Sequence, residues 1–522
     1  MHIEDFIREF KKVVFNTDIE IKNSNEAYIY TIQPEVRYIV ARLTDDFGLS
    51  FMSEFCFEEN VFIINVVFAS REGGFLVILR YNADGYIDSL TPNIPRASIY
   101  EREIADLYGL KIMDSSDTRC LVKHENWDLN EFPLRKDFDS SRKINEKNNV
   151  PKYLFESVKG EDGFQIPVGP VHAGIIEPGH FRFTVCGEPI DNLEIRLMYK
   201  HRGIEKICES KNFNLLPVLM ERVSGDSSAA YALAYALAIE KITGKDISPE
   251  IKAFRTVIVE LERIYNFLED IAGICTDIAF SYPSKKFSYL SELVHQICEE
   301  LTGSRFLRSA IIPNGSGIDF AVKDKDAVIN KLSQIIKRFK YISDMTAQSV
   351  SFLDRVEHTG CVSKEEGVSL GLTGVVARAC GIGYDVRKTF PYNNYSKIFV
   401  QDVSSMELGG VYERFQLKVK EIFQSYEFIL KSFEEINIDI IKIIPPINLP
   451  DHTEVFSMVE TVKGELLLYI RSARNNHPCR VYFKTPSFSN WSGLEHAVRK
   501  EIVPDFPLCN KSFNMSYSEN DR

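Results

Sequence analysis

The stretch SGDSSAAYALAYALAIEK, from Ser224 to Lys241, joins a small polar turn to an apolar run that is rich in alanine. Alanine has the highest helix propensity of all residues, so the run predicts a helix. The turn ahead of it is typical of a helix N-terminus, where Asp226, Ser227 or Ser228 is expected to accept hydrogen bonds from exposed amides. The stretch opens a region of the chain in which helical patterns dominate.

The residues after this run continue the helical pattern. Ser248 and Pro249 are typical of an N-cap and a first helical position, and they predict a helix that reaches about Asp270. Its apolar residues recur at spacings of three and four, which predicts one buried stripe made of Val257, Leu261, Ile264 and Leu268. Further helices are predicted for Tyr289 to Thr302, Lys325 to Arg355 and Gly410 to Glu435. Strands are expected at the edges of this helix bundle, in GELLLYIRSA (464–473) and CRVYFK (479–484).

The first 110 residues have a different pattern. FIINVVFAS (62–70) and FLVILRY (75–81) predict two apolar strands, and the two glycines of the intervening REGG predict a hairpin turn. EREIADLYGL (101–110) is helix-like, whereas the sequence from there to about Tyr153 is polar and rich in turn residues. The region is therefore expected to be an α/β domain followed by an extended arm.

Composition predicts the domain division near Asn148 to Pro151. The predicted fold class is α+β, with an α/β domain and its arm in residues 1–150 and a mainly helical domain with peripheral strands in residues 151–522. A chain of 522 residues is too long for one compact core, which agrees with two domains.

Charge and cysteine usage exclude several classes of protein. The net charge of -12 argues against nucleic-acid binding, which needs clustered Lys and Arg. No run of eighteen apolar residues is present and the N-terminus MHIEDFIREFKK is amphipathic, so the chain itself is expected to be soluble and to start in the cytosol. The ten cysteines stand singly, with no pair at C-x-x-C spacing, which argues against a local zinc or cluster site.

Two short segments concentrate polar chemistry. HRGIEK (201–206) would place Arg202 and Glu205 on one face of a helix, an arrangement that by itself is typical of a surface salt-bridge cluster. GPVHAGIIEPGHFRF (169–183) contains His172 and His180, which by spacing alone are typical of hydrogen-bonded loop residues. The chain has no G-x-G-x-x-G, P-loop or H-E-x-x-H motif, so the usual support for nucleotide hydrolysis is missing.

Several motifs, in one order along nearly the whole chain, resemble two known families. EREIADLYGL and NWDLNEFPLRKDF (126–138) resemble the small peripheral-arm subunit of complex I. The later motifs resemble the large subunit of membrane-bound, energy-converting [NiFe] hydrogenases, which is homologous to the quinone-site subunit of complex I, and the fused order resembles the large subunit of formate hydrogenlyase. These motifs are GPVHAGIIEPGHFRF, YKHRGIEK (199–206), ALAYALAIEK (232–241), ELERIYNFLEDIAGICTDIAF (260–280), GLTGVVARACGIGYDVRK (371–388) and FKTPSFSNW (483–491).

The resemblance implies a metal site that this sequence does not complete. In the hydrogenases two C-x-x-C pairs hold nickel and iron, and the positions that match the four thiolates are Ser224, Ser227, Ser516 and Glu519. Soft thiolates select such a metal pair, whereas a serine hydroxyl is a hard donor that is scarcely ionised at neutral pH. We therefore expect no nickel, no hydrogen turnover and no cofactor bound by this chain itself.

A quinone site of the complex I type is the second expectation from the resemblance. There a tyrosine donates to the quinone together with a histidine of the GP-x-H loop. The tyrosine position matches Gly225, so half of that pair is missing, while His172 or His180 is available for the other half. Tyr231 is an alternative donor.

Other matched positions are retained. Arg202 and Glu205 match residues near the proximal iron-sulfur cluster and the proton route, and Arg378 and Arg387 flank another signature. Arg480 and Lys484 match basic positions that approach the active cavity. These matches lead us to expect that Glu205, Asp226, Lys484 and Glu519 face one cavity and handle protons. The candidate catalytic residues are Glu205, Arg202, His172 and His180.

The resemblance implies a subunit of a membrane-associated oxidoreductase complex, at the cytoplasmic face of the cell membrane. An iron-sulfur cluster is expected in a separate small partner subunit, antiporter-like subunits in the membrane arm, and a quinone or NAD-linked reaction within the complex. The first hypothesis is a metal-free subunit that takes part in electron transfer coupled to ion translocation. The alternatives are a non-catalytic scaffold between the iron-sulfur subunit and the membrane arm, an active hydrogenase and a quinone reductase.

Overall fold

The protein was analysed as a computed structural model that describes residues 2–15, 17–141, 152–158, 163–173 and 176–522. The predicted division near Asn148 to Pro151 lies outside the described residues and stays a prediction. The strands of the N-terminal region are β1 (Asp18–Asn23), β2 (Glu26–Tyr30), β3 (Ser50–Glu58), β4 (Phe62–Ser70), β5 (Phe75–Ala83), β6 (Tyr86–Asp88) and β7 (Lys111–Met113). The later strands are β8 (Gly163–Val168), β9 (His180–Cys186), β10 (Ile190–Arg196), β11 (Ile311–Ile312), β12 (Gly315–Ser316), β13 (Glu454–Thr461), β14 (Gly464–Ser472) and β15 (Pro478–Lys484).

The helices lie mainly in the second half of the chain. Those of the N-terminal region are α1 (Ile3–Val13), α2 (Val36–Ala41) and α3 (Ser98–Tyr108). The remaining α-helices are α4 (Ile204–Glu209), α5 (Leu216–Met220), α6 (Ser228–Thr243), α7 (Pro249–Asp277), α8 (Ser281–Thr302), α9 (Lys325–Ala347), α10 (Val350–Val356), α11 (Lys364–Leu370), α12 (Gly374–Ala379), α13 (Val386–Thr389), α14 (Tyr395–Ile398), α15 (Val411–Glu435), α16 (Pro486–Ala497), α17 (Phe506–Phe513) and α18 (Tyr517–Asp521). The predicted α+β class is confirmed.

The N-terminal region is built on one five-stranded sheet in the order β1-β2-β5-β4-β3. The predicted hairpin is confirmed, because β4 and β5 pair antiparallel from Phe62 opposite Ala83 to Ser70 opposite Phe75. Gly74 in the turn has a φ of +66°, a backbone conformation that glycine adopts without strain. The helix predicted in EREIADLYGL is α3, which begins at Ser98 and ends at Gly109 in the left-handed conformation.

Both faces of this sheet are buried. One face packs on α1, α2 and α3 through residues such as Phe68 and Val77. The other face joins the core of the helical region, and there Phe55 of β3 stacks on Tyr482 of β15 with ring centroids 4.2 Å apart. The N-terminal sheet and the small sheet β13-β14-β15 therefore share one continuous apolar interface.

The long helices α7, α8 and α15 form the centre of the helical region. Ser248 caps α7 as predicted, its hydroxyl accepting from the amide of Ile251 at 3.3 Å. The helix continues two turns beyond the predicted end, to Asp277, because apolar residues such as Ile271 and Ile274 keep the stripe buried. α15 agrees with its prediction, but the helix predicted from Lys325 to Arg355 is two helices, α9 and α10, separated at Gln348 and Ser349.

The alanine-rich helix α6 lies against β13 and β14, with α7 on another side. Nearly every residue of α6 is buried, which small alanine side chains permit because they let neighbouring elements approach closely. The small sheet is thus held between α6 and the N-terminal sheet. This arrangement places the turn before α6, residues 224–227, next to the C-terminal segment.

Candidate functional site

A cavity of about 650 Å³ lies where three walls meet the end of α7. The loop between β8 and β9, described up to residue 173 and again from 176, forms one wall and contributes His172 and Glu177. Gly225 and Asp226 from the turn before α6 form a second wall, and the segment from Phe506 to Ser518 forms the third. This cavity is called the central cavity below.

The two histidines of the GP-x-H loop differ in position. His172 lines the central cavity, and its Nε2 lies 2.7 Å from the carbonyl oxygen of Gly179. His180 begins β9 and does not line that cavity; its Nδ1 is 3.2 Å from the Gly169 carbonyl, and burial lowers its pKa. Of the two candidates that the sequence offered, His172 is therefore the one that faces a ligand-sized space.

The turn before α6 is not capped as predicted. Ser227 is the N-cap residue but makes no side-chain cap, and the hydroxyl of Ser228 donates to the Glu221 carbonyl at 3.0 Å. The carboxyl group of Glu262 on α7 accepts instead, from the amides of Ala229 at 2.7 Å and Ala230 at 3.0 Å. The reason is spatial: α7 crosses the N-terminus of α6, where the first helix amides have no partner within the helix.

The hydroxyls of Ser224 and Ser227 are buried and have no hydrogen-bond partner among the described residues. A buried hydroxyl without a partner costs free energy, so neither side chain is explained by the stability of the turn. Both residues lie directly behind Gly225 and Asp226 of the cavity wall. In the described part of the fold, neither hydroxyl makes a hydrogen bond that would stabilise the protein.

A buried lysine approaches the central cavity from the protein interior. The Nζ of Lys463, in the turn between β13 and β14, lies 3.2 Å from the Asp226 carboxylate, which is 44% exposed. Burial opposes a charge on Lys463, but the carboxylates of Asp226, Asp270 and Glu519 outweigh burial and raise its pKa. An ammonium group therefore stands behind the cavity wall, in contact with Asp226 and stabilised at longer range by the charges of Asp270 and Glu519.

Glu519 is fully buried beside this lysine. Its carboxylate accepts from the Tyr231 hydroxyl at 3.0 Å and from both the amide and the hydroxyl of Ser487. Burial raises the pKa of Glu519, while hydrogen bonding from Ser487 and the charge of Lys463 act in the opposite direction. Ser516 lies on the cavity wall, and its hydroxyl accepts from the Glu519 amide at 3.2 Å. Tyr231 points to Glu519, so the alternative donor named above is already engaged.

Arg202 and Glu205 do not pair with each other. Arg202 precedes α4, and its guanidinium donates to the carbonyl oxygens of Arg222, Val223 and Ser518, which ties the turn before α6 to the C-terminal segment. Glu205 is buried and bound by Arg480 at 2.6 Å and Arg522 at 3.2 Å. The interpretation of HRGIEK as a surface salt-bridge cluster is wrong, because Glu205 is only 6% exposed and its partners come from distant segments.

The four groups expected in one cavity are divided between different sites. Asp226 lines the central cavity and Glu519 lies behind it, whereas Glu205 sits between Arg480 and Arg522. Lys484 lines a different, smaller cavity and pairs with Glu465 at 2.7 Å. The expectation of one shared cavity is therefore wrong for Glu205 and Lys484, since each is held by an ion pair away from the central cavity.

The sequence analysis missed Asp277, which lines the central cavity at the end of α7. Burial raises the pKa of its carboxyl, with the charge of Lys511 acting against this. The sequence did contain a signal for Asp277, because the apolar pattern of α7 continues beyond Asp270 and extends the helix as far as the cavity. Asp277 thus joins His172, Glu177 and Asp226 among the titratable side chains that line this space.

Arg378 and Arg387 lie in a separate buried ionic network. Arg387 binds Asp385 at 2.7 Å and Glu260 at 3.1 Å, and Arg378 binds Glu460 at 2.9 Å and also Glu421. This network lies among α7, α13 and α15 and does not line the central cavity. It is a structural feature that fixes these helices, with each buried charge paired.

Among the described residues, no three His, Cys, Asp or Glu side chains are arranged to hold a metal ion. The ten cysteines are all unpaired thiols, and none of them lines the central cavity in the described part of the chain. Of the described helices, none has both the length and the apolar character needed to cross a membrane.

Two protein families match the sequence. The family described as respiratory-chain NADH dehydrogenase, 30 Kd subunit, matches residues 30–143, and the 49 Kd subunit family matches residues 287–452 and 440–522. Both matches agree with the motifs that lie on either side of the predicted division. The two families are thus joined in one polypeptide.

Individual relatives match most of this chain. Hydrogenase-4 component G of Escherichia coli (strain K12) is 27% identical over 83% of this chain and 75% of its own length. Formate hydrogenlyase subunit 5 of the same organism is 27% identical over 83% of this chain and 76% of its own length. The NADH-quinone oxidoreductase C/D subunit of Phocaeicola vulgatus is 28% identical over 78% of this chain and 82% of its own length. The chain therefore belongs to the family of complex I and hydrogenase large subunits, with a 30 kDa-type and a 49 kDa-type domain fused in one polypeptide.

Proposed function

We propose that this chain is the acceptor-site subunit of a membrane-associated oxidoreductase complex and that it works without a nickel-iron centre of its own. Electrons reach the acceptor from an iron-sulfur cluster of a partner subunit, and the reaction is coupled to ion translocation by the membrane arm. The observation that carries the proposal is the central cavity, whose described wall bears His172, Asp226 and Asp277 and no thiol. The relatives named above are subunits of complexes of this kind.

The donors at the matched positions do not fit a nickel-iron pair. Ser224 and Ser227 offer hydroxyls, and Glu519 offers a hard carboxylate that is already bound by Tyr231 and Ser487. Such a metal pair is retained by soft thiolates. The ammonium of Lys463 beside Asp226 and Glu519 would also repel a metal cation at this place. No step of the proposed reaction therefore passes through a metal of this chain.

Proton supply is the chemistry that the cavity supports. Reduction of a quinone to a quinol takes two electrons from the partner's cluster and two protons, one for each oxygen. His172 and Asp277 lie on the cavity wall where they can donate these protons, and burial keeps the Asp277 carboxyl more readily protonated than a free aspartate. Asp226 and Lys463 form a pair that can pass a proton from the buried side. The volume of the cavity is large enough for a headgroup of this size.

One assay separates this proposal from hydrogenase activity. The complex is purified through this chain and supplied with dithionite-reduced methyl viologen, first alone and then with a short-chain quinone. The expected result is quinol formation faster than in the same mixture without the complex, no hydrogen evolution, and a nickel content far below one atom per chain. Hydrogen evolution with stoichiometric nickel would refute the metal-free reaction.

The scaffold is the second candidate, and Gly225 favours it because this wall position carries no donor side chain. The variants His172→Gln and Asp226→Asn distinguish the two functions. Under the proposal each reduces quinone turnover about tenfold or more, the usual scale for loss of a positioned proton donor. Asp246→Asn is the matched control, because Asp246 lies on the surface with a side chain that is 93% exposed. Unchanged turnover in both cavity variants would support the scaffold.

A further inference from the structure

A second, smaller cavity lies at the joint between the N-terminal sheet and the helical region. Its volume is about 170 Å³, and it is separate from the central cavity. The N-terminal region contributes Phe51, Arg71, Arg96 and Tyr100 to its wall, and the helical region contributes residues 369–371, 465, 484, 489 and 492. It is called the joint cavity below.

The joint cavity carries an excess of positive charge. Three cations, Arg71, Arg96 and Lys484, line it together with a single acid among the described residues, Glu465. Both oxygens of Glu465 are already engaged, one by Lys484 at 2.7 Å and the other by the Tyr384 hydroxyl at 2.7 Å. Glu465 is in contact with Lys484 and acts on Arg71 and Arg96 only at longer range, so one acid faces three cations.

The two arginines have no acidic partner in direct contact. No carboxylate of the described residues lies within salt-bridge distance of Arg71 or Arg96, and the buried Nε of each lacks a hydrogen-bond acceptor in the same part of the chain. Arg96 is held in place by the carbonyl oxygens of Val368 at 2.6 Å and Phe51 at 2.9 Å. Arg71 lies over the Tyr384 ring, 4.5 Å from its centroid. A pair of oriented guanidinium groups with free donors is a site for an oxyanion.

The electrostatics agree with this geometry. Burial and, to a smaller extent, the neighbouring charge of Arg71 lower the pKa of Arg96 to about 10. Burial also lowers the pKa of Lys484. The charge of Glu465 acts against this lowering, whereas the charges of Arg71 and Arg96 lower the pKa further. These like charges repel one another across the cavity, and an anion between them would remove that repulsion.

Gly371 keeps the cavity narrow on the side of Arg96. Its φ is +69°, and a Cβ added there would lie 2.7 Å from Nη1 of Arg96. A side chain at this position would displace the guanidinium group. The wall is therefore shaped around the arginine, which is what a site with a fixed donor requires.

We propose that the joint cavity binds a phosphate-sized oxyanion between Arg71 and Arg96, at the joint between the N-terminal sheet and the helical region. The volume suits a single phosphoryl group and is too small to enclose a nucleoside as well. The ligand is either free phosphate or the phosphoryl end of a monoester that extends from the cavity mouth. The site is independent of the central cavity and of the proposed electron transfer.

The test is binding of inorganic phosphate to the full chain at constant ionic strength maintained with potassium chloride. Equilibrium dialysis with labelled phosphate is expected to give saturable binding of one phosphate per chain. The midpoint of thermal unfolding is expected to rise by about 2 °C or more with the same saturation, since a ligand that binds only the folded state stabilises it. Competition by AMP would indicate a phosphate monoester, and its absence would indicate free phosphate.

Arg71→Gln is expected to weaken phosphate binding at least tenfold, because it removes one guanidinium fork while breaking no hydrogen bond seen in the described residues. Arg71→Lys keeps the charge and is expected to bind with intermediate affinity, which a merely structural role would not produce. Arg338→Gln, on the exposed face of α9, is the matched control. Non-saturable binding in the natural chain, or unchanged affinity in Arg71→Gln, would overturn the proposal.

Discussion

The guanidinium of Arg522 binds the carboxylate of Glu103, although the two residues are 419 positions apart. Glu103 belongs to α3 of the N-terminal region, and Arg522 also contacts Glu205 and the Phe483 carbonyl. The motif EREIADLYGL and the C-terminal segment thus meet in one buried ionic cluster. This cluster and the apolar contact of the two sheets hold the N-terminal and helical regions together.

Glu103→Ala is expected to destabilise the full chain by about 3 kcal/mol, because it leaves a buried guanidinium with one fewer acidic partner. The measurement is urea-induced unfolding followed by circular dichroism. Glu9→Ala is the control, since Glu9 pairs with Lys12 on the exposed surface of α1 and such pairs contribute little to stability. Equal midpoints for the two variants would show that the cluster does not hold the joint.

Phe55→Ala is expected to cost about 3–5 kcal/mol, the usual loss when a buried aromatic ring leaves a cavity. The ring of Phe55 is 1% exposed and stacks on Tyr482 across the joint. Unfolding of the variant, followed by intrinsic fluorescence, should occur at lower denaturant concentration than in the natural chain. Phe15→Ala, at a ring that is 75% exposed, should change the midpoint little. A similar small change for Phe55 would contradict the shared core.

Glu262→Gln is expected to change how stability depends on pH. Burial raises the pKa of Glu262 to about 8, above its ordinary value near 4.5, although the amides of Ala229 and Ala230 act against this. The folded state therefore holds an extra proton between about pH 4.5 and 8, and the free energy of unfolding falls as pH rises through that window. Within this window, titration of Glu262 lowers the free energy of unfolding by up to about 1.4 kcal/mol for each unit by which the pH rises.

The Gln variant should lose this part of the pH dependence, which unfolding curves measured from pH 5 to 8 would reveal. At pH 5 it should be less stable by about 1–2 kcal/mol, because an amide provides only one acceptor for two helix amides. Glu269→Gln on the exposed side of the same helix is the control. An unaltered pH profile would show that Glu262 does not titrate in this range.

Ser224→Ala and Ser227→Ala are expected to leave the stability of the chain unchanged or to raise it by about 1 kcal/mol. Each removes a buried hydroxyl that has no partner among the described residues. Thermal unfolding of both single variants is the measurement, with Ser228→Ala as the contrast, because the Ser228 hydroxyl donates to the Glu221 carbonyl and its loss should destabilise. A loss above about 1 kcal/mol for Ser224 or Ser227 would reveal a partner for that hydroxyl.

Local patterns predicted the secondary structure where the signal lies within a few residues. The Ser248-Pro249 start of α7, the β4-β5 hairpin and helix α15 are of this kind, because capping, turn geometry and apolar periodicity act over one or two turns. The end of α7 and the break between α9 and α10 were not predicted, since a helix end depends on what its last turn packs against.

His172, Gly225 and Ser516, three positions that the family resemblance named, all line the central cavity. The resemblance did not reveal that Lys484 and Glu205 lie elsewhere, or that Asp277 and Lys463 belong near the cavity. Hydrophobic periodicity identifies which face of a helix is buried, but it does not show which other segment packs against that face.

The sequence by itself determined the α+β class through local spacing, and it determined the order of the two joined families through the motifs that resemble them. Only the tertiary structure decided which charges meet, such as Glu103 with Arg522 and Asp226 with Lys463. The physical reason is that a buried charge must find its counter-charge in space, and in both pairs the partner comes from a segment hundreds of residues away.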